Sequence, residues 1–258
     1  MIAALPMYDF DDLIAANDTL WARVRDGLRA HQIAAPPVLT RGIDPWDIWQ
    51  SPDLLLAQTC GYPFRARLHP NVTLVGTPDF GVEGCAPGEY CSYFIIRHND
   101  PRGDGGALAA FDGVCLAYNE AMSQSGWAAP QTHAAHLGLR FPTGLKTGAH
   151  RATAQAIIEG RADLGAVDAI TWRHLQRLDP QMQGLRVIAQ TPPTPGLPLI
   201  TAANGPAKVL FDVVTQAIAQ LPRTVRVILG LQGLVAIPAS AYLAVENPPS
   251  PCQNGSAA

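Results

Sequence analysis

Apolar and polar residues follow two patterns along the chain: short continuous apolar runs, and longer stretches with helical spacing. The runs from Ile2 to Met7, Asp53 to Gln58 and Val72 to Thr77 are typical of buried strands. Between the first two, the stretch from Asp11 to His31 places its apolar residues on one helical face, after an acidic start that suits the helix dipole. Strands that alternate with helices predict a mainly parallel sheet covered on both faces.

Two further elements are expected in this first part of the chain. A short strand is predicted from Val38 to Thr40, and a short helical turn from Trp46 to Trp49. Near the other end, the apolar stretch from Val225 to Val245 is interrupted by Arg226, Gln232, Pro238 and Ser240. The interruptions favour buried strands and turns over a membrane-spanning helix.

A second α/β pattern follows a Gly/Pro-rich break from Gly81 to Gly88. It predicts strands at Tyr93 to Arg97, Val114 to Tyr118, Leu164 to Val167 and Arg186 to Ala189, and helices from Ser125 to about Leu137, Ala152 to Glu159 and Trp172 to Leu178. A second break, from Thr191 to Pro198, precedes a helix predicted from Ala207 to Leu221. The central α/β pattern therefore lies between two breaks.

The two breaks predict a discontinuous α/β architecture with two lobes, each built on a mainly parallel sheet flanked by helices. Residues 1–84 and 195–247 form the first predicted lobe, and residues 85–194 form the second. The polar, proline-rich stretch 248–258 is predicted to be a disordered tail. Ligands in such folds bind beside the carboxyl ends of strands, so the strand-to-helix turns are the places to search for a site.

Composition narrows the function classes. The 258 residues carry a formal net charge of −3 and no long Lys/Arg run, which excludes nucleic acid and anionic membranes as the main partners. The first residues lack the basic and long apolar regions of a secretory signal, so no export signal is visible. The five cysteines contain no C-x-x-C pair, which disfavours a zinc or redox motif. A disulfide among Cys60, Cys85 and Cys91 stays open for an exported protein.

The segment M-S-Q-S-G-W-A-A-P, from Met122 to Pro130, follows a predicted strand and opens a predicted helix. A helix that starts near Ser125 offers unpaired backbone N–H groups and the positive end of its dipole. Ser123 and Ser125 add hydroxyl donors, and Gly126 allows a ligand to come close. This combination suits a tetrahedral oxyanion. A serine that only caps the helix is the competing interpretation.

A histidine and an aspartate occupy comparable turns. His150 follows Thr147-Gly148-Ala149 at a predicted helix start, where a neutral imidazole donates to an anion or where the ring is simply a surface side chain. Asp168 comes directly after a buried strand, so its carboxylate faces the cleft by topology. It accepts a hydrogen bond from a protonated ligand oxygen or amine, or else caps the next helix.

The first predicted lobe offers weaker candidates. Tyr8 and Tyr62 lie at strand ends, where a tyrosine hydroxyl can close over a ligand or the ring simply packs. Cys60 would need a neighbouring base to act as a nucleophile, and none is visible in the sequence. His133 and His136 lack a matching carboxylate for a metal site. Neither a metal nor a cofactor is expected, because no G-x-G-x-x-G loop or metal-ligand cluster is present.

From the first strand to about Val245 the chain resembles the PhnD-like phosphonate/phosphate substrate-binding proteins of ABC transporters. The resemblance rests on Ser123-Gln124-Ser125-Gly126 with Pro130, on Gly148-Ala149-His150, and on the run E-G-R-A-D-L-G-A-V-D from Glu159 to Asp168. It implies a type II periplasmic-binding fold and a ligand set of Ser123, Gln124, Ser125, Gly126, His150 and Asp168, with first-lobe tyrosines at Tyr62 and Tyr8. Gln124 stands where the family usually has a threonine.

The resemblance implies a non-enzymatic binding protein that closes two lobes on a phosphonate, phosphate, phosphite or phosphate ester. The expected partners are this small oxyanion and an ABC permease, and a monomer is expected. Its location would be periplasmic if an export signal was removed or lies upstream, and cytoplasmic otherwise. The alternative is a cytoplasmic enzyme or ligand sensor on the same fold, with Cys60, His150 and Asp168 as reactive groups.

Overall fold

The computed structural model of the chain describes residues 1–248, which form two compact units. The first unit comprises Met1–Glu89 and Pro195–Val245, and the second comprises Tyr90–Thr194 with the segment that begins at Glu246. Apart from its first residue, the tail predicted over 248–258 lies outside the described residues.

The described residues contain twelve strands. In chain order they are β1 (Ile2–Ala4), β2 (Leu54–Gln58), β3 (Val72–Asp79), β4 (Glu89–Tyr90), β5 (Ser92–Arg97), β6 (Cys115–Tyr118), β7 (Thr143–Lys146), β8 (Leu164–Asp168), β9 (Leu185–Gln190), β10 (Thr194–Pro195), β11 (Leu199–Ala202) and β12 (Gly233–Val235). The short strands β4 and β10 pair with each other, and each contains a point where the chain passes from one unit to the other.

Nine α-helical segments lie in the same part of the chain. They are α1 (Ile14–Ala30), α2 (Pro45–Trp49), α3 (Gly61–Pro63), α4 (Ala129–His136), α5 (His150–Ile158), α6 (Ala169–Leu178), α7 (Ala207–Ala219), α8 (Arg223–Leu229) and α9 (Ala239–Leu243). A π-helical turn, Phe64–Leu68, continues α3, and another, Gln124–Ala128, leads directly into α4. Single 3-10 turns occur at Asp11–Leu13, Pro101–Gly103, Leu108–Phe111 and Pro180–Gly184.

The first unit is built on a five-stranded sheet in the order β1-β2-β11-β3-β12. Strands β1 and β2 are parallel, whereas β11 runs antiparallel to both β2 and β3. On one face, Ala57 and Ile200 pack with Phe64 and Tyr242 in a buried cluster. Helices α1 and α7 pack together, and α7 contacts β3 and β12 of the sheet.

The second unit is built on a five-stranded sheet in the order β7-β6-β8-β5-β9. Strands β7, β6 and β8 are parallel, and β5 runs antiparallel to β8. The alternation expected of a strand divides neighbouring residues between two cores: Phe94 packs with Phe111 and Trp127, and Ile95 packs with Ile157 and Trp172. Because β7, β6 and β8 are parallel, their carboxyl ends lie at the same edge of this sheet.

The two-lobed α/β fold predicted from the sequence is confirmed, with a change in the sheets. Both sheets are mixed, because β11 and β12 in the first and β5 in the second run against their neighbours. The strand expected at Val38 to Thr40 is wrong, since those residues form bends and extended loop. The stretch from Val225 to Val245 contains β12 but also most of α8 and the whole of α9, so the expectation of strands and turns alone is wrong there.

Candidate functional site

Three strand-to-helix turns of the second unit converge at one edge of its sheet. The first follows β6 and leads to the turn Gln124–Ala128, the second joins β7 to α5, and the third joins β8 to α6. Backbone bonds tie the first two together, since the amides of Thr147 and Gly148 donate to the carbonyls of Tyr118 and Asn119, each at 2.9 Å. The parallel direction of the three strands places their following turns side by side.

The first turn is a capped helix start, as the serine-rich segment predicted. Ser123 is the N-cap residue, and its Oγ accepts a hydrogen bond from the amide of Gly126 at 3.0 Å. The carbonyl of Ser123 accepts from the amide of Ala128 at 2.9 Å, five residues on, which makes the turn π-helical. Capping uses only the acceptor side of the Ser123 hydroxyl, so its proton is still available to a ligand.

Gly126 has a packing reason to be glycine. A Cβ added at this position would lie 1.9 Å from Oδ1 of Asn119, the residue that follows β6. Sequence reasoning gave Gly126 the role of letting a ligand approach, whereas the space its side chain would fill is occupied by Asn119. Oδ1 of Asn119 is itself buried without a hydrogen-bond partner among the described residues. No sequence pattern singled out Asn119.

His150 is the first residue of α5 and joins the three turns. Its Nε2 lies 2.9 Å from Oγ of Ser125, within hydrogen-bond distance, and 3.4 Å from Oδ2 of Asp168. Nδ1 is buried without a hydrogen-bond partner of standard geometry in the described part of the chain. The structure thus brings together Ser125, His150 and Asp168, which the sequence placed at separate turns.

Burial holds the His150 ring in its neutral form. The removal of the ring from water lowers its pKa below the usual value, while the carboxylate of Asp168 and the backbone of Ala166 act in the opposite direction with smaller effect. The second unit therefore presents a neutral imidazole beside the serine hydroxyl at neutral pH. A neutral ring carries one N–H donor and one acceptor nitrogen, so it serves a ligand by hydrogen bonding rather than by charge.

Asp168 is both the last residue of β8 and the N-cap of α6. Its Oδ1 accepts from the amides of Ile170 at 3.1 Å and Thr171 at 2.8 Å, and its Oδ2 faces His150. The capping role and the contact with the imidazole coexist because the two carboxylate oxygens are used separately. Only 4% of the carboxylate side chain is exposed.

The arrangement differs from a hydrolytic Ser-His-Asp triad. In a triad the serine and the carboxylate contact opposite nitrogens of the imidazole, so that a proton taken at one side is balanced at the other. Here Ser125 and Asp168 both contact Nε2. The geometry fits a cluster of hydrogen-bonding groups that surround a bound oxygen, and it lacks the relay that would activate the serine.

The other predicted ligand residues are placed as follows. Gln124 lies at the start of the π-helical turn in the second unit and is buried. Tyr62 lies in α3 of the first unit, with the guanidinium of Arg65 4.6 Å from its ring centre. Tyr8, also in the first unit, packs edge-on against Phe80. Tyr8 lies four residues beyond the end of β1 rather than at the strand end, because β1 stops at Ala4.

Cysteines and two further histidines were the remaining chemical candidates. Among the described residues, Cys60, Cys85, Cys91 and Cys115 form no disulfide with one another. The ring of His133 lies tilted against Phe94 in the second unit, with 5.9 Å between ring centres. Burial of the ring is the main cause that lowers the pKa of His133, and the nearby His136 adds to it. No group of three or more His, Cys, Asp or Glu side chains in residues 1–248 is arranged to hold a metal ion. No helix within the described range is long and apolar enough to cross a membrane.

A cavity of about 740 Å³ in the first unit lies at the amino ends of β2 and β3. Trp49, Asp53, Arg67 and Asn204 are among its lining residues, and no residue predicted for ligand binding lines it. Because ligands in α/β folds bind at the carboxyl ends of strands, the three turns of the second unit are the stronger candidate site.

Comparison with known proteins agrees with the geometry. The family described as "ABC transporter, phosphonate, periplasmic substrate-binding protein" matches residues 53–242, most of the chain. The chain belongs to this family. The matched region of this phosphonate-binding family member contains the three turns of the second unit. No curated protein sequence matches the chain.

Several solved structures share the fold of this chain. PhnD1 from Prochlorococcus marinus, in complex with methylphosphonate, has a TM-score of 0.70 at 16% identity, with 93% of each chain covered. XAC2383 from Xanthomonas citri, bound to ATP, has a TM-score of 0.68 at 15% identity, over 93% of this chain and 92% of that one. A binding-protein component of an ABC phosphonate transporter from Pseudomonas aeruginosa has a TM-score of 0.67 at 15% identity, over 91% and 80%.

Proposed function

We propose that this protein is a non-enzymatic binding protein whose two lobes close on a small phosphorus oxyanion and deliver it to an ABC-type importer. One observation carries the proposal: Nε2 of His150 lies 2.9 Å from the Ser125 hydroxyl and 3.4 Å from the Asp168 carboxylate, at the ends of three adjacent parallel strands. Membership of the phosphonate-binding family supports the same class of ligand.

The chemistry of the cluster suits a partly protonated oxyanion. The Ser123 and Ser125 hydroxyls and the helix start at Gln124 supply donors to negatively charged oxygens. Asp168 supplies an acceptor for a ligand O–H, which a monoprotonated phosphonate or phosphate carries and a sulfate dianion lacks. We therefore expect phosphonate, phosphate, phosphite or a phosphate ester to bind and sulfate to be rejected.

Two relatives support these ligand classes. PhnD1 was solved with methylphosphonate, and XAC2383 was solved with ATP, a phosphate ester. The two ligands differ greatly in size while the fold is shared. Gln124 is buried, and its side chain is longer than the threonine usual at this position. We expect Gln124 to give this protein a ligand preference that differs from that of the rest of its family.

The enzyme alternative has less support. Ser125 and Asp168 share one imidazole nitrogen, so the cluster lacks the geometry that activates a serine nucleophile. The chain also belongs to a family of substrate-binding proteins. A ligand sensor would use the same oxyanion site, and a pull-down with and without methylphosphonate separates a sensor's protein partner from a permease.

We further propose that the protein works with a permease outside the cytoplasmic membrane, as the family description implies. Cell fractionation of the natural producer tests this point independently of ligand identity. Recovery in the periplasmic fraction supports the importer role, and exclusive recovery with cytoplasmic markers would contradict it.

Isothermal titration calorimetry tests the ligand proposal. Methylphosphonate, phosphate, phosphite and sulfate are titrated into the wild type and into Ser125→Ala. Ser51→Ala is the control, because Ser51 lines the cavity at the amino ends of β2 and β3 rather than a predicted ligand position. We expect at least one phosphorus oxyanion to bind, and Ser125→Ala to weaken it by about 10-fold or more. Absence of binding by all three phosphorus compounds would refute the function, and equal affinity in Ser125→Ala would refute the site.

A further inference from the structure

A buried threonine in the first unit has a hydroxyl with no hydrogen-bond partner among the described residues. Thr59 directly follows β2, and its amide donates to the carbonyl of Pro198 at 2.9 Å. Its side chain has 0% exposure, and its Oγ1 has no hydrogen-bond partner among the described residues. A buried hydroxyl without a partner is unfavourable, because it gives up its bonds to water and gains none.

Comparable threonines in this chain are all paired. Thr77, Thr153 and Thr201 also have 0% exposure within the described residues. Their hydroxyls bond respectively to the Tyr242 hydroxyl at 2.6 Å, the Thr147 hydroxyl at 2.8 Å and the Leu54 carbonyl at 3.4 Å. The unpaired state of Thr59 is therefore a property of its position rather than of buried threonines in this fold.

The position of Thr59 is a helix start at the end of a strand. Cys60 is the N-cap of the helical segment formed by α3 and the π-helical turn Phe64–Leu68. The amide of Phe64 makes the first helical bond, to the carbonyl of Cys60 at 3.1 Å, so the amides before it precede the helical ladder. The Thr59 hydroxyl therefore belongs to the residue just before the N-cap, near the positive end of a helix. In the second unit, Ser125 lies two residues after the N-cap Ser123 of its own helical turn.

We infer that Thr59 is a ligand-binding residue of the first unit, and that its hydroxyl donates a hydrogen bond to an oxygen of the bound phosphorus oxyanion. The inference rests on the proposed function and adds a residue to it. The ligand oxygen is the acceptor that the protein itself does not supply. Tyr62, three residues on, was expected to fill the first-lobe role, but Thr59 is the residue whose polar atom is buried and unsatisfied.

A pair of variants separates ligand binding from structure. Thr59→Val removes the hydroxyl and keeps the shape, and Thr59→Ser keeps the hydroxyl. Since Oγ1 has no partner in the free protein, Thr59→Val should leave the urea midpoint of the ligand-free protein unchanged or raised. It should weaken binding by about 10-fold or more, because a hydrogen bond to a charged oxygen is lost. Thr59→Ser should bind within about 3-fold of wild type.

Thr201→Val is the matched control, equally buried in the same unit but hydrogen-bonded to Leu54. It should lower the urea midpoint and leave affinity unchanged. Methylphosphonate, phosphate and phosphite are titrated into all of these proteins and into Ser125→Ala. Weak binding by Thr59→Val with an undiminished midpoint supports the inference.

Two results would overturn the inference while the proposed function stands. One is wild-type affinity in Thr59→Val while Ser125→Ala has lost affinity. The other is a loss of stability in Thr59→Val as large as in Thr201→Val, which would reveal a structural role. Failure of the wild type to bind any of the three compounds would instead remove the proposed function and the inference with it.

Discussion

The hydroxyl of Ser125 and the imidazole of His150 are in direct contact, with Oγ and Nε2 separated by 2.9 Å although the residues are 25 positions apart in the chain. The contact joins the turn after β6 to the start of α5. Because the same Nε2 also faces Asp168 at 3.4 Å, one ring nitrogen serves two partners. If a ligand oxygen replaced one of these two contacts, His150 would still keep the other.

The buried imidazole predicts a loss of stability in mild acid. The pKa of His150 is lowered by burial, so below pH 6.5 the unfolded chain binds a proton that the folded protein resists. The free energy of unfolding should therefore fall as pH drops from about 6.5 towards the native pKa, by at most about 1.4 kcal/mol per pH unit for this group.

His150→Gln should flatten this dependence when urea unfolding is measured between pH 7.5 and 5. Some dependence of the free energy of unfolding on pH should remain because of His174. Burial is the main cause that lowers the pKa of His174 to about 4, and the charges of Arg177 and Arg173 add to it. An identical pH dependence in wild type and His150→Gln would contradict the assignment of a buried neutral ring.

Asp168 is expected to have separable structural and ligand roles. Asp168→Ala removes an N-cap that accepts from two amides, so the free energy of unfolding should fall by about 1–2 kcal/mol. Asp168→Asn retains a capping oxygen and should lose much less. Both variants lack the acceptor for a protonated ligand oxygen, and calorimetry should show weaker phosphate binding in both. Full affinity in Asp168→Asn would contradict the acceptor role.

The packing of Gly126 against Asn119 predicts a rescue. Gly126→Ala would place a Cβ 1.9 Å from Oδ1 of Asn119 and should destabilise the protein by about 1–3 kcal/mol. Asn119→Ala alone should cost little, because Oδ1 has no partner in the described structure. In a double-mutant cycle followed by urea unfolding, the double variant should lose less free energy of unfolding than the two single variants lose together. Simple additivity would show that the two residues do not compete for space.

A buried tyrosine in the first unit is predicted to matter for stability. The Tyr242 hydroxyl donates to the carbonyl of Gly196 at 2.9 Å and shares a hydrogen bond with the Thr77 hydroxyl at 2.6 Å. Tyr242→Phe should lower the free energy of unfolding by about 1–3 kcal/mol, since both partners stay buried and lose this bond. The edge-on contact of the ring with Phe64 should survive. A thermal melt within 1 °C of wild type would refute this.

Most residues of the candidate site in the second unit could be predicted from the sequence. Ser125 and Asp168 each lie close to the point where an apolar run gives way to a helix, and His150 lies at a predicted helix start. Parallel strands bring the turns that follow them together. The sequence pattern did not predict β7, the strand that precedes His150. Its residues are T-G-L-K, and a single large apolar residue is too weak a signal for a strand. Without β7, the contact between His150 and Ser125 has no geometric basis.

The first unit was less predictable because its sheet combines distant segments. Strand β11 enters between β2 and β3 after the chain has returned from the second unit, and its direction is set by that return rather than by local pattern. Thr59 shows the same limit. Its position after a buried strand was visible in the sequence, but the absence of a partner for its hydroxyl depends on the whole surrounding unit.

The two π-helical turns bear on how this chain should be aligned with distant relatives. A π-helical turn holds one residue more than an α-helical turn, and such turns are frequent at functional sites. A relative whose corresponding helix begins as a regular α-helix would need one residue fewer between Gln124 and Ala128, or between Phe64 and Leu68. An alignment without a gap there would assign Ser125 to the wrong column while matching the rest of the helix correctly.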